Sequence, residues 1–260
     1  MAVSGPDPTE HPLSIRPVSR QTADLLRRHW EILWPIAAAL FFLPQLLISV
    51  VAPASRGQSP PEISASIPFV VVGIVVIVAT IVGQLTIAFI AVNNGTAGRT
   101  VGEVLVMTGR RMVPALAVVA AQSIAVLAGG LLFIIPGLWL LARLSVAMPI
   151  IATGSDDPTA ALKQSWQLSR GYVLRILGCL AGLLGAVLLF YVLVMALGTI
   201  TGALHPSTVN LPSAQWNIGR WLFEIASAAV AATMGLVATC FYAVLLLRLR
   251  RLPRMPGMNG

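Results

Sequence analysis

Residues 112–152 are predominantly apolar, and Pro136-Gly137 divides the run in two. As one helix this stretch would reach about 60 Å at 1.5 Å per residue, roughly twice the hydrocarbon thickness of a bilayer. The chain must therefore reverse within it. Pro136 presets φ for the first central position of a turn, and Gly137 accepts positive φ at the second, so the dipeptide predicts a type II turn. Two spans follow, 112–135 and 138–152, joined as a hairpin.

A proline kink in a buried helix of a soluble protein is the alternative, and composition argues against it. Hydrophobic residues make up 57% of the chain, charged residues only 10%, and the mean hydropathy is +0.87. Ordinary soluble domains carry about 25% charged residues. Further apolar runs at 32–51, 67–92, 173–197 and 218–247 pass the length of roughly 18 residues needed to span a bilayer. The expected fold is therefore all-α: a polytopic transmembrane bundle of about six spans, the first bent at Pro35 or Pro44. Residues 1–18 are polar and proline-rich and read as a disordered tail, 19–248 as the membrane domain and 249–260 as a basic tail. No apolar segment of a secretory signal precedes the first span. Cys179 and Cys240 both fall inside apolar runs and read as buried thiols.

Charge sets the expected orientation, because lysine and arginine in short flanks favour the cytoplasmic side. Arg16, Arg20, Arg27 and Arg28 precede the first span, while Arg99, Arg110 and Arg111 lie between the second and third. Lys163, Arg170 and Arg175 lie around the fourth-to-fifth connection, and Arg248, Arg250, Arg251 and Arg254 close the chain. Only Arg56 and Arg220 fall on the other side. Both termini are expected in the cytoplasm. The basic balance then points to anionic lipid headgroups as partners and not to nucleic acid.

Short amphipathic segments precede the odd-numbered spans and hint at an internal repeat. Leu26-Arg27-Arg28-His29-Trp30 resembles Leu162-Lys163-Gln164-Ser165-Trp166, and Thr100 to Arg111 matches Thr159 to Arg170 at its ends. The unit is an interfacial helix followed by a hairpin. In the segment before the fifth span, Asp157 is a capping residue with Pro158 at the first helical position. Leu162 and Trp166 share one face, Lys163 points elsewhere, and Arg170 ends the segment. Such a helix suits the headgroup region, as an anchor for the next span or as a lipid-sensing or docking element.

Polar groups inside the apolar runs are the candidates for function: Arg143, Glu224, Gln84 and Gln122, with Gln45. Arg143 and Glu224 sit at similar expected depths in the fourth and sixth spans and are predicted to pair. The competing partner is local, since Arg220 is one helical turn before Glu224. Small residues at helical spacing, such as Ala117, Ala121, Ala125 and Gly129 or Gly178 and Gly182, allow close helix packing within the bundle or in a homo-oligomer. No HExxH, GxSxG or phosphate-loop motif occurs, and neither a cofactor nor a metal is expected.

The stretch 133–178, FIIPGLWLLARLSVAMPIIATGSDDPTAALKQSWQLSRGYVLRILG, resembles the glycerophosphoryl diester phosphodiesterase membrane-domain family and related six-span bacterial proteins. The likeness lies in Pro136, Gly137, Arg143, Pro158, Ala161, Leu162, Ser165, Trp166, Leu168, Arg170 and Gly171. It implies a six-span domain of the bacterial cytoplasmic membrane, fused in some relatives to a soluble phosphodiesterase barrel. This sequence holds no such barrel, so the phosphodiesterase activity is not expected with it. The expected role is non-catalytic: a scaffold, lipid-organising or partner-binding protein. A transporter, channel or lipid translocator built on the intramembrane polar groups is the alternative. A cavity joining Arg143 to Gln84 and Gln122 would favour transport, and a dry bundle the scaffold.

Overall fold

The structure, a computed structural model, describes residues 15–51, 67–132, 134–200 and 218–251, and all regular structure in them is helical. Among the described residues, five helices are long and apolar enough to cross a membrane: Trp30–Val50, Val70–Asn93, Met112–Leu131, Val173–Ile200 and Ile218–Arg251. This set is compatible with a multi-pass membrane protein. The segment expected as a fourth span is a shorter apolar stretch, Pro136–Ala152.

The chain opens with α1 (Ile15–Arg28). The helix starts ahead of the tail boundary expected at residue 18, and packing explains why. Val18 and Leu25 are buried in the core, and the Arg248 side chain donates to the Gln21 side chain and the Pro17 carbonyl. Residues 1–14 and 252–260 lie outside the described residues, so the two expected tails are not placed there. The last helix, for its part, runs on past residue 248 to Arg251.

α2 (Trp30–Ala37) passes through a π-helical turn (Ala38–Phe42) into α3 (Leu43–Val51). Pro44 accounts for the widened turn. Its nitrogen has no proton, and its ring crowds the carbonyl one turn back, so the ladder shifts register and the Leu43 amide reaches the Ala38 carbonyl. The Phe41 ring then lies against glycines on two neighbouring helices, α4 (Ile67–Asn93) and the final helix. A Cβ on Gly83 would come within 2.6 Å of it, and one on Gly235 within 3.0 Å.

After α4 come α5 (Val101–Gly109), α6 (Met112–Leu132), α7 (Ile134–Leu144), α8 (Ala147–Ala152), α9 (Pro158–Ser169), α10 (Val173–Ile200) and α11 (Ile218–Arg251). A short helix thus stands before three of the long apolar helices, Trp30–Val50, Met112–Leu131 and Val173–Ile200: α1, α5 and α9. Each start has a local cause. Thr100 and Glu103 form a reciprocal capping box on α5, and Asp157 caps α9 with Pro158 in its first turn. Between α9 and α10, Gly171 takes φ +84, a value side-chain-bearing residues avoid.

The core is gathered at one end of the bundle. It joins the second half of α4 (Ile81, Leu85, Ile87 and Ile90), the last turns of α11 (Val244, Leu245 and Leu246), all of α8 but its methionine, and the buried faces of α1 and α2. Half of the most apolar window of α11 is buried inside the protein, against 6% of that of α10, so α11 is the central post and α10 stands at the periphery. Cys179 and Cys240 are buried and form no disulfide.

The hairpin forms, but its corner is not where the dipeptide suggests. Pro136 and Gly137 lie inside the first turns of α7, and the glycines at positive φ are Gly95, Gly98, Gly154 and Gly171. Pro136 is tolerated there because amides in the first turn have no intrahelical acceptor to lose. Gly137 serves close packing instead of reversal. A Cβ on it would meet the Gly130 nitrogen at 2.9 Å, and one on Gly129 would meet the Gly137 Cα at 3.0 Å. The two helices touch backbone to backbone beside the corner.

Candidate functional site

The second strand of the hairpin breaks at Ser145-Val146, between α7 and α8. Pro149 follows shortly and offers no amide to the preceding turn. The last carbonyls of α7 therefore need donors from elsewhere, and apolar surroundings supply no water for the purpose. Side chains supply them. Ser145 Oγ donates to the Ala142 carbonyl at 3.0 Å, and Ser165 and Ser169 Oγ donate to the Arg143 carbonyl at 2.8 and 3.3 Å. Gln122 Nε2, from α6, donates to the Leu144 carbonyl. Ala161, Ser165 and Ser169 form the buried face of α9, one residue per turn, so this face seats α9 on the break.

The Arg143 side chain fills the crook between α7 and α9. Its guanidinium carbon lies 4.6 Å from the Trp139 ring centroid and 4.6 Å from that of Trp166, while the two indoles meet edge to face at 5.2 Å. Nη1 donates to the Trp166 carbonyl at 3.2 Å. Nε is buried and has no hydrogen-bond partner among the described residues. Arg170 lies one turn after Trp166, at the exposed C-cap of α9. Both indoles remain more than a third exposed, so the cage opens outward.

The rest of α9 is arranged around this contact. Leu162 packs against the core and Lys163 is exposed. Asp157 accepts from the Thr159 hydroxyl and amide, each at 2.9 Å, and these bonds hold its carboxyl below the usual carboxylate range. The adjacent Asp156 pairs with Arg111 at 3.3 Å. Arg111 also donates to the Ile151 and Ala152 carbonyls at the end of α8, at 3.3 and 3.0 Å.

The predicted pair of Arg143 with Glu224 is not formed. Glu224 binds Arg220 one turn back on α11, and both residues are buried. Two physical reasons separate the outcome from the expectation. An i,i+4 pair needs no match of depth between helices, and the Arg143 guanidinium is already enclosed by two rings. The remaining candidates are also apart. Gln84 lines a small pocket of about 130 Å³ with Gln45, Thr80, Phe41 and Gly235, beside the π-helical turn. A larger apolar groove of about 540 Å³ runs between α3 and α4 along Leu43, Leu47 and Val75. Neither includes Arg143 or Gln122.

Three participants escape a reading for ionisable groups: Trp139, Ser165 and Ser169. Their signal is spacing. Trp139 is one turn before Arg143, and Ala161, Ser165 and Ser169 repeat at every fourth position. Among the described residues no group of three or more His, Cys, Asp or Glu is placed to hold a metal ion. No family model, curated protein or solved structure matches this chain.

Proposed function

We propose that this chain is a non-catalytic integral protein of the bacterial cytoplasmic membrane, with six membrane segments and both termini in the cytoplasm, that organises anionic lipid or holds a partner protein. The observation that carries the reading is the engagement of the polar groups within the apolar segments. Gln122 closes a helix break, Glu224 pairs with Arg220, and Arg143 is held between two indoles. None of these three is arranged around a common path. The sequence likeness of 133–178 to the phosphodiesterase membrane-domain family supports the six-segment layout and the cytoplasmic membrane. The arginines gathered on one side support contact with acidic headgroups.

Extraction of the protein with its surrounding membrane in polymer-bounded patches, followed by lipid and protein analysis, tests this. Anionic phospholipid is expected to be enriched over the bulk membrane, and depletion or bulk composition without any co-purified protein overturns the reading. Transport is favoured by one feature, the Gln45–Gln84–Thr80 pocket beside the π-helical turn, since such turns recur at functional sites. Solute flux in proteoliposomes that is lost in Q84L would replace the scaffold with that second reading.

A further inference from the structure

The cage around Arg143 has the makings of a binding site whose ligand is absent from the chain itself. A second arginine, Arg170, follows Trp166 by one turn at the exposed C-cap of α9, and neither it nor Arg143 forms an ion pair to a carboxylate among the described residues. The Arg143 guanidinium has five N–H groups, yet one donates to the Trp166 carbonyl and Nε has no acceptor. A guanidinium without a counterion at an apolar surface is costly, and an anion held against it would relieve that cost. The flanks say which kind. Trp139 and Trp166 are 37% and 38% exposed, and Leu174, at the start of α10, is 83% exposed. Indoles of this sort occupy the boundary between headgroups and acyl chains, and bare leucine suits the chains below. A soluble anion would meet polar walls; this cage has apolar ones.

We propose that the Trp139–Arg143–Trp166 cage and Arg170 bind the phosphodiester headgroup of an anionic phospholipid, its acyl chains lying along α7 and α10. Planar guanidinium groups match two phosphate oxygens at once, which an ammonium does not. The site therefore reads the phosphate and the net negative charge, with the indoles holding Arg143 in position. Through the serine bonds of α9 to the Arg143 carbonyl, lipid binding also braces the connection between the hairpin and α10.

This rests on the membrane reading above, and the experiment separates the two. The full chain is placed in nanodiscs of phosphatidylcholine doped with phosphatidylglycerol of the same acyl chains, and retained lipid is counted by native mass spectrometry. R143Q also removes the bond to the Trp166 carbonyl, so R170Q, on an exposed residue, carries the test. Phosphatidylglycerol is expected to be retained over phosphatidylcholine. R170Q should weaken that retention about fivefold, the worth of one arginine at an anionic surface, and R27Q, at an exposed arginine of α1 outside the cage, should weaken it clearly less. Undiminished retention in R170Q overturns the site alone, as does equal loss in R27Q. Retention of inorganic phosphate or soluble glycerophosphoglycerol in place of the lipid overturns the lipid assignment. A wild-type protein that keeps no anionic lipid overturns both the site and the lipid-organising reading.

Discussion

Arg220 and Arg143 both stand among apolar helices, Arg220 at 5% exposure near the start of α11 and Arg143 half-buried in α7, yet their charges are met differently. Arg220 has a carboxylate on its own helix, one turn away, and a phenyl ring, that of Phe223, at 5.6 Å. Its countercharge comes from one turn away on the same helix. Arg143 has two indoles and one carbonyl. Rings stabilise a guanidinium by about 0.5–2 kcal/mol but do not neutralise it. The pair at Arg220 is therefore closed to outside partners, while the cage at Arg143 keeps a net charge that a partner can answer.

The largest test of this contrast is E224Q. It leaves the Arg220 charge buried without its carboxylate, and such losses run to about 3–5 kcal/mol. Denaturant unfolding of the purified protein should show it, and R220L/E224L should recover most of the loss. A cost below about 1 kcal/mol would mean that water reaches Arg220 and that the two sites are alike. In a double-mutant cycle, R143A and E224A should add to within about 0.5 kcal/mol. Clear coupling would restore the interhelical pair and erase the contrast.

A middle-sized effect is expected at the helix break. Q122L leaves the Leu144 carbonyl without its donor, and S165A/S169A does the same for the Arg143 carbonyl, each at about 1–3 kcal/mol. Thermal unfolding in matched detergent checks both. Stability unchanged in S165A/S169A would detach α9 from the break and leave the cage held by the rings alone.

The bundle was legible in the sequence where the signal is a linear run. The second span, expected at 67–92, is the helix Ile67–Asn93, because hydropathy summed along a run needs no knowledge of neighbours. The capping chemistry at Asp157 was equally local. The hairpin corner was not legible, since Pro-Gly fits a turn or the first turn of a helix, and only the contact of Gly137 with Gly130 decides. Nor was the partner of Arg143. Trp166 reaches it from a later helix, and that meeting depends on how α9 is seated by two serines. Depth along a helix, the argument used for Glu224, ignores rotation about the axis and loses to a partner one turn away.

The smallest effect is at the edge of the site, and pH reads it. The Asp157 carboxyl is held below its usual value of 3.8 by the Thr159 hydroxyl and amide. Its contribution to α9 is thus fully present above pH 3.8 and is lost as pH falls through the lower folded value. D157N keeps a cap but has no proton to gain, so its melting temperature should change less than that of wild type between neutral pH and pH 3. An identical change in both would remove Asp157 from the acid response and leave the α9 start fixed by Pro158.

The bonds from Arg248 to Gln21 and to the Pro17 carbonyl have a consequence for how the protein comes into being. α1 is fastened by a residue 227 positions after Gln21, near the end of α11. Until α11 has formed, α1 lacks the donor that Arg248 supplies. Closure of such a distant contact comes late and slowly. Arg248 thus ties the seating of α1 to the synthesis of α11.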